Sequence, residues 1–190
     1  GTSSFDPRLC GADAQGSGDR QRQIEFGLRL ATRTLADSPY SDQTGLYAQF
    51  SQQIGRKGSL RAKLESYRLS HDSFTAADGR RNLVALSYDH MISPQLRLSL
   101  GGFVEHTNAN WAQESGLRKS LTLGATYAFK GGIVSSLSLT KGWEKRDGAH
   151  HIFAVKRRDD TLRIDASLYH RDWRIGPFVP VLKLGIEKAN

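Results

Sequence analysis

The sequence predicts an all-β protein, an antiparallel up-and-down β-barrel that crosses a membrane with its strands. Three observations lead to this prediction. Apolar and polar residues alternate with a period of two in about ten successive segments, which is typical of strands with two unlike faces. Short polar connections between these segments alternate with longer ones. Leucines lie at alternate positions of these segments, on one face of each predicted strand, and charged residues lie on the other face.

Length and composition are compatible with one such domain. The chain has 190 residues, of which 38% are hydrophobic, too many for a disordered chain. No apolar run approaches the roughly 18 residues of a transmembrane helix. The net charge is +8, and we expect the surplus of positive charge to line the barrel lumen and the turns. Cys10 is the single cysteine, so no disulfide forms within the chain.

The predicted strands follow one another without helices. In the first, Ile24, Phe26, Leu28 and Leu30 alternate with polar or small residues. The predicted strands cover 24–30, 46–50, 60–65, 84–89, 96–105, 121–129, 133–143, 152–156, 162–169 and 182–187, and the eighth has the weakest alternation. We expect these about ten strands to be part of a larger barrel.

The connections between the predicted strands differ in length in a regular order. Short turns are expected at 55–58, 93–95, 130–132 and 158–160, and longer loops at 36–44, 70–81, 106–119, 146–150 and 172–177. Outer-membrane barrels have short periplasmic turns and longer external loops, whereas a soluble sandwich has no reason to collect its long loops at one end. The order therefore favours a transmembrane barrel with the longer loops outside.

The two strand faces differ in charge as a membrane barrel requires, because side chains that face lipid must be apolar. We expect the charged parity to face the lumen, with these candidate residues: Arg29, Arg61, Lys63, Arg97, Arg163, Asp165 and Lys183. Aromatic residues near strand ends fit the interfacial girdles of such barrels: Tyr88, Tyr127, Phe129, Trp143, Tyr169 and Phe178. The alternative is a soluble antiparallel sheet with a solvated outer face.

Motifs for enzymatic or cofactor chemistry are not found. The sequence has no GxSxG, GxxxxGK[ST] or GxGxxG motif. The adjacent His150 and His151 would point to opposite faces of a strand, which argues against a metal site. Basic residues are dispersed by strand parity, which argues against nucleic acid as a partner. We expect a protein that is not an enzyme and has no cofactor, although an outer-membrane phospholipase or protease built from dispersed residues stays open.

The segment from Leu162 to the last residue carries a more specific pattern. An alternating strand ends in a His-Arg-Asp triplet, a loop with a glycine follows, a proline opens the next strand, and the segment closes on a small residue and an asparagine. The positions are His170, Arg171, Asp172, Gly176, Pro180 and Asn190. This segment resembles the late hairpin of the barrel in the surface lipoprotein assembly modifier (Slam) family.

The resemblance implies an outer-membrane barrel that helps lipoproteins, or in related members soluble haem-binding cargo, reach the cell surface. It implies as partners a surface lipoprotein or secreted cargo protein, the lipid of the bacterial outer membrane, and a periplasmic repeat domain in the full-length chain. We expect residues 1–22 to form a linker or loop and residues 23–190 a barrel domain that is incomplete at its C-terminus. The competing hypotheses are a general porin for small solutes and a soluble β-barrel binding module.

Overall fold

Strands make up nearly all of the part of the protein that the computed structural model describes, which is residues 22–35, 38–72, 75–149, 154–174 and 178–190. The strands are β1 (Arg22–Leu35), β2 (Ser38–Ile54), β3 (Gly58–His71), β4 (Gly79–Met91), β5 (Leu96–Ala109), β6 (Gly116–Ala128), β7 (Ile133–Ala149), β8 (Lys156–His170) and β9 (Val181–Ala189). A single 3-10 turn at Thr75–Ala77 is the one helical element in these ranges. Within them, no helix has the length and apolar character needed to cross a bilayer.

Each strand pairs with the next strand in the sequence. The pairing is antiparallel throughout and produces one sheet in the order β1-β2-β3-β4-β5-β6-β7-β8-β9. The register is interrupted near the end of the β1–β2 ladder and between Lys145 and Ala149 in the β7–β8 ladder. The prediction of an all-β, antiparallel, up-and-down fold is confirmed. In the described residues β1 and β9 are the two edge strands of the sheet.

The described residues contain nine strands, where about ten were predicted. The predicted turn at 158–160 is wrong, because these residues belong to β8 and pair with β7. The predicted loop at 146–150 is also wrong over most of its length, since β7 continues to Ala149. Of the predicted eighth strand, Ile152 and Phe153 lie outside the described residues. The polar sequences that resemble turns here extend the β7–β8 hairpin beyond its apolar part.

The connections differ less in length than the sequence indicated. One end of the sheet, the turn end, carries the connections 55–57, 92–95, 129–132 and 171–180. The opposite end, the loop end, carries 36–37, 72–78, 110–115 and 150–155. Two predictions need correction. Most of the predicted loop 36–44 is part of β2, and the predicted long loop 172–177 lies at the turn end, because one strand fewer precedes it.

Side-chain burial is the reverse of that in a water-soluble sheet. The leucine-rich parity is exposed, with 67% of Phe26, 62% of Leu46 and 55% of Leu86 accessible. The buried apolar residues recorded among the described residues are Tyr67, Leu69 and Ala76. We call the apolar side the outward face; it is the side of Leu28, Leu46, Leu64, Leu86, Leu98, Leu123, Leu139, Leu162 and Leu184. The polar side is the inner face.

Aromatic residues border the outward face at the turn end. Tyr127 and Phe129 pack edge to face with ring centroids 4.7 Å apart, and Tyr88 stacks on His90. Trp143 lies on the same face toward the loop end, opposite Lys119. Tyr169 differs from the expectation of a girdle, because its pairing with Val134 and Val181 gives it the parity of the inner face.

The two faces should respond differently to an introduced charge. If the outward face meets lipid, an arginine near the middle of the bilayer costs about 2–4 kcal/mol. We therefore expect Leu98→Arg or Leu123→Arg in the full-length protein to lower the folded, membrane-inserted fraction strongly, measured by heat-modifiable electrophoretic mobility of the membrane fraction. The controls Ser99→Arg and Thr122→Arg place the same charge on the inner face and should be tolerated. Equal tolerance on both faces would contradict the membrane-spanning sheet.

Candidate functional site

The inner face lines one large cavity. Its volume is about 890 Å³, and its walls come from every strand from β2 to β9, so the sheet must curve around it. We call this cavity the inner trough. Its floor consists of small residues: Ser87, Gly101, Ser120, Thr122, Thr140 and Gly142. Because these side chains are small, the centre of the trough stays open. Longer charged side chains at neighbouring positions extend into it.

Ion pairs cross the trough wall on β1, β3 and β4. Arg61 Nη2 lies 2.9 Å from Asp89 Oδ2. Glu65 is shared by two cations, with Lys63 Nζ at 2.7 Å and Arg29 Nη1 at 3.3 Å. The Glu65 side chain is only 8% exposed, so these two cations supply the opposite charge that a carboxylate at a nearly buried position needs. The wall is therefore charged, but its charges largely compensate one another.

Tyr67 joins this cluster to the loop end of the trough. Tyr67 is 6% exposed, and the guanidinium carbons of Arg29 and Arg81 lie over its ring at 4.7 Å and 5.9 Å from the centroid. A cation over an aromatic face is attracted by the negative charge of the ring surface. Tyr67 thus contacts two arginines from different strands, β1 and β4, on the inner face.

On the opposite wall, β8 carries a second charged group. Arg163 Nε donates to Asp165 Oδ2 at 2.8 Å, and Arg163 Nη2 donates to Asp165 Oδ1 at 2.8 Å. This two-pronged geometry is the strongest form of an arginine–carboxylate pair. Neighbouring hydroxyls also pair across strands, as between Thr122 and Thr140 at 3.0 Å. The inner face is therefore hydrophilic along its whole width.

The register places every predicted lumen candidate on the inner face: Arg29, Arg61, Lys63, Arg97, Arg163, Asp165 and Lys183. Arg61, Lys63 and Arg163 line the trough itself. Arg97 lies toward the turn end and Lys183 on the edge strand β9, and neither has an ion-pair partner among the described residues.

The inner face carries only a small part of the surplus of positive charge that was expected in the lumen. Its cations alternate with carboxylates, and most of the two groups are paired. Basic residues do occur in the turns, as expected, for example Arg56 and Lys57. The remaining surplus lies on the outward face at the loop end.

A second charged cluster was missed by the sequence analysis. Arg118 lies in register between Glu105 and Glu144, and a cavity of about 100 Å³ adjoins them. Arg146 Nη2 lies 2.7 Å from Glu144, and its Nη1 donates to the carbonyl of Glu114 at 2.8 Å. Arg118 and Arg146 were missed because 106–119 and 146–150 were predicted as loops, whereas Glu105 lies in a strand that was predicted. The alternation of Arg118 with Ser120 and Thr122 was the signal that extends β6 to include it.

The connections at the loop end are hydrogen-bonded to one another. Asn110 N–H donates to the Asp78 carbonyl at 2.8 Å, and Trp111 N–H donates to the Ala76 carbonyl at 3.1 Å. Gly148 N–H, near the end of β7, donates to the Ala112 carbonyl at 2.7 Å. We call residues 75–78, 110–115 and 147–148 the interlocked rim. It gives the loop end of the trough a defined border.

The first part of the family-like motif, His170, Arg171 and Asp172, lies at the turn end, where β8 ends. Arg171 N–H donates to the Gly132 carbonyl at 2.7 Å, and Asp172 N–H donates to His170 Nδ1 at 3.2 Å. Gly132 has a φ of +88°, and an added Cβ would lie 2.8 Å from the Asp172 carboxylate. Gly176 lies outside the described residues. Pro180 immediately precedes β9, and Asn190 exchanges backbone hydrogen bonds with Asp160.

Candidate metal ligands are not assembled in the described ranges, where no group of three or more His, Cys, Asp or Glu side chains is placed to hold an ion. Cys10, His150 and His151 lie outside those ranges. The chemistry that the inner trough offers is a hydrated wall of compensated charges and hydroxyl groups. Such a wall suits the contact or passage of a polar solute or chain.

Comparison with known proteins identifies a family. No curated protein and no solved structure matches the sequence. The family model described as surface lipoprotein assembly modifier matches residues 17–190, which is most of the chain. The resemblance first noted in the C-terminal hairpin is confirmed by this match, and the chain belongs to the surface lipoprotein assembly modifier family.

Proposed function

We propose that this chain forms a non-enzymatic β-barrel of the bacterial outer membrane that assists the export of lipoproteins to the cell surface. Family membership supports a role in surface lipoprotein assembly. The observation that supports the membrane placement is the reversed sheet, with exposed leucines outward and ion pairs inward. In a bilayer the outward face is covered by lipid, whereas in water it would be a large exposed apolar patch.

The inner trough is suited to the passage of a polypeptide. Arg61, Lys63 and Arg163 project toward it, and each has a carboxylate partner. Because these charges compensate one another, the wall holds water without attracting one sign of charge strongly. A cargo chain in transit then meets few apolar contacts that would retain it. Arg97 and Lys183, which have no ion-pair partner among the described residues, are inner-face cations available to contact acidic cargo segments.

A solute channel and a soluble binding module would use the two faces of the sheet differently from an export barrel. A passive channel for small solutes uses the same polar lumen, and its fixed charges set ion selectivity. The interlocked rim favours the export proposal, because a hydrogen-bonded border of several connections offers a shaped surface to a protein. A soluble binding module would have to keep the outward face in water, so dependence of the purified protein on detergent separates it from either barrel.

The orientation of the protein in the membrane can be determined by labelling single cysteines. With Cys10 replaced in the full-length protein, we expect a cysteine at Ala77, in the connection between β3 and β4 at the loop end, to react with an impermeant thiol reagent on intact cells. A cysteine at Lys57, in a turn-end connection, should react only after the outer membrane is permeabilised. The reverse pattern would invert the topology, with the loop end in the periplasm.

The export role makes a prediction about the interlocked rim. Replacing residues 111–114 by a glycine–serine segment of equal length removes its exposed side chains and leaves paired strand residues such as Thr107 and Gly116 unchanged. We expect a folded barrel and at least about a tenfold fall in lipoprotein at the cell surface, corresponding to a weakening of cargo contact by about 1.4 kcal/mol. Protease accessibility of a surface lipoprotein on intact cells measures the change.

The matched control changes exposed residues at the other end, Arg56→Ser with Lys57→Ser, and should leave lipoprotein display unchanged. Uptake of a small charged solute is measured in the same strains. If loss of the whole gene leaves every surface lipoprotein in place and changes solute uptake alone, the export proposal is wrong. The hypothesis of a channel for small solutes then replaces it.

A further inference from the structure

The outward face has two unlike margins. At the turn end its border is formed by aromatic and histidine side chains such as Tyr88, His90, Tyr127 and Phe129. At the loop end it is strongly basic. We call the cations at this margin of the outward face the basic belt: Arg68, Arg80, Lys119, Lys141, Lys145, Arg158 and Lys188. All of them are exposed or half-exposed, and they lie on β3, β4, β6, β7, β8 and β9.

Cations of the belt lie directly opposite one another on neighbouring strands. Arg68 pairs in register with Arg80, and Lys145 pairs in register with Arg158. Lys119 lies diagonal to Lys145, since its direct partner on β7 is Trp143. Like charges in directly opposed positions destabilise a sheet. An arrangement of this kind is stable only when anions lie between the cations or when water screens them.

Carboxylates in the sheet do not supply those anions. At this level of the outward face, the carboxylates in the described residues are Asp42, Asp147 and Asp160, and the ion pair found between them and the belt joins Asp160 to Lys141 at 3.4 Å. The inner face differs, because there cations and carboxylates alternate and pair. The belt therefore lacks a matching set of anions within the part of the chain that the structure describes.

The depth of the belt indicates where its anions come from. Lys145 and Lys188 each come two residues beyond the last outward apolar residue of their strands, Trp143 and Ile186. Arg68, Arg80 and Arg158 lie farther out, four residues beyond Leu64, Val84 and Leu162, whereas Lys119 and Lys141 lie among the apolar rows, opposite Val104 and Leu121. At about 3.3 Å per residue, the Cα atoms of Lys145 and Lys188 lie about 7 Å past the last apolar residue of their strands. In a barrel that spans the membrane, this is the level at which the hydrocarbon ends and the phosphates of the lipid begin.

We propose that the basic belt binds the phosphate groups of lipid A in the outer leaflet, with the cation pairs Arg68–Arg80 and Lys145–Arg158 each holding one phosphate. A phosphate between two opposed cations removes their repulsion and forms charge-assisted hydrogen bonds with both. Lipid A is favoured over phospholipids because each of its headgroups carries two phosphates, so it presents more phosphate to the belt than a phospholipid with one phosphate does. The inference rests on the proposed outer-membrane placement and requires the loop end to face outward.

The test uses the full-length protein folded in uncharged detergent. Affinity is measured by native mass spectrometry with three probes: lipid A, lipid A without its phosphates, and phosphatidylglycerol. The belt variant is Arg68→Gln, Arg80→Gln, Lys145→Gln and Arg158→Gln. The control variant removes equal charge from the inner face: Arg61→Gln, Lys63→Gln, Arg97→Gln and Lys183→Gln. Heat-modifiable mobility establishes that each is folded.

We expect the belt variant to bind lipid A at least about tenfold more weakly than the natural protein, since each cation near the headgroups adds of the order of 1 kcal/mol. The control should stay within about twofold. The natural protein should bind dephosphorylated lipid A as weakly as the belt variant binds lipid A. If the fourfold variant does not fold, the double variant Arg68→Gln with Arg80→Gln should still bind lipid A more weakly than the natural protein. Its affinity should also fall less steeply as the salt concentration increases.

The proposal is overturned if the belt variant binds lipid A as the natural protein does, or if the control loses as much affinity. Equally tight binding of phosphatidylglycerol also overturns it, because the belt would then serve anionic phospholipid of either leaflet. The measurement involves no cargo. A failure of the export proposal would leave these affinities unchanged, and a failure of the lipid proposal would leave lipoprotein display unaffected.

Discussion

One antiparallel register, shifted only near the loop end of two ladders, relates the nine strands of the described residues, and the rest of the structure depends on it. Because side chains alternate with a period of two, a slip of one residue in any ladder would turn the leucines of that strand inward and its charges outward. Outward rows such as Leu28 opposite Leu46, and inner rows such as Gln49 opposite Lys63, persist across the sheet. The backbone ladder is therefore what separates the two environments.

The same register decides which charges meet. On the inner face it brings Arg118 between two carboxylates, Glu105 and Glu144, while on the outward face it brings Arg68 against Arg80. Neither outcome follows from composition, since the net charge of +8 does not distinguish paired from unpaired cations. Two faces of one sheet thus acquire different electrostatic characters from a single pattern of pairing. The inner one is compensated within the chain, and the outward one is left for the surroundings.

Strand type and parity were predictable, because they follow from local alternation that is strongest where one face is apolar. The prediction failed beyond the apolar band, where both faces are polar and alternation disappears. Residues 158–160 have the sequence of a turn, yet pairing with β7 keeps them extended in β8. The same effect hid Arg118 and Arg146 in supposed loops. Contacts between distant connections, such as Trp111 with Ala76, have no local signal at all.

The interlocked rim is held mainly through main-chain groups: the bonds from Asn110, Trp111 and Gly148 join amides to carbonyls. Backbone bonds do not depend on which side chain a residue carries, with few exceptions such as the Ser115 hydroxyl, which accepts from the Ala109 amide at 2.9 Å. The shape of this end of the trough therefore tolerates many side-chain substitutions. Substitutions in the rim thus change the side chains that it displays while the path of its backbone stays the same.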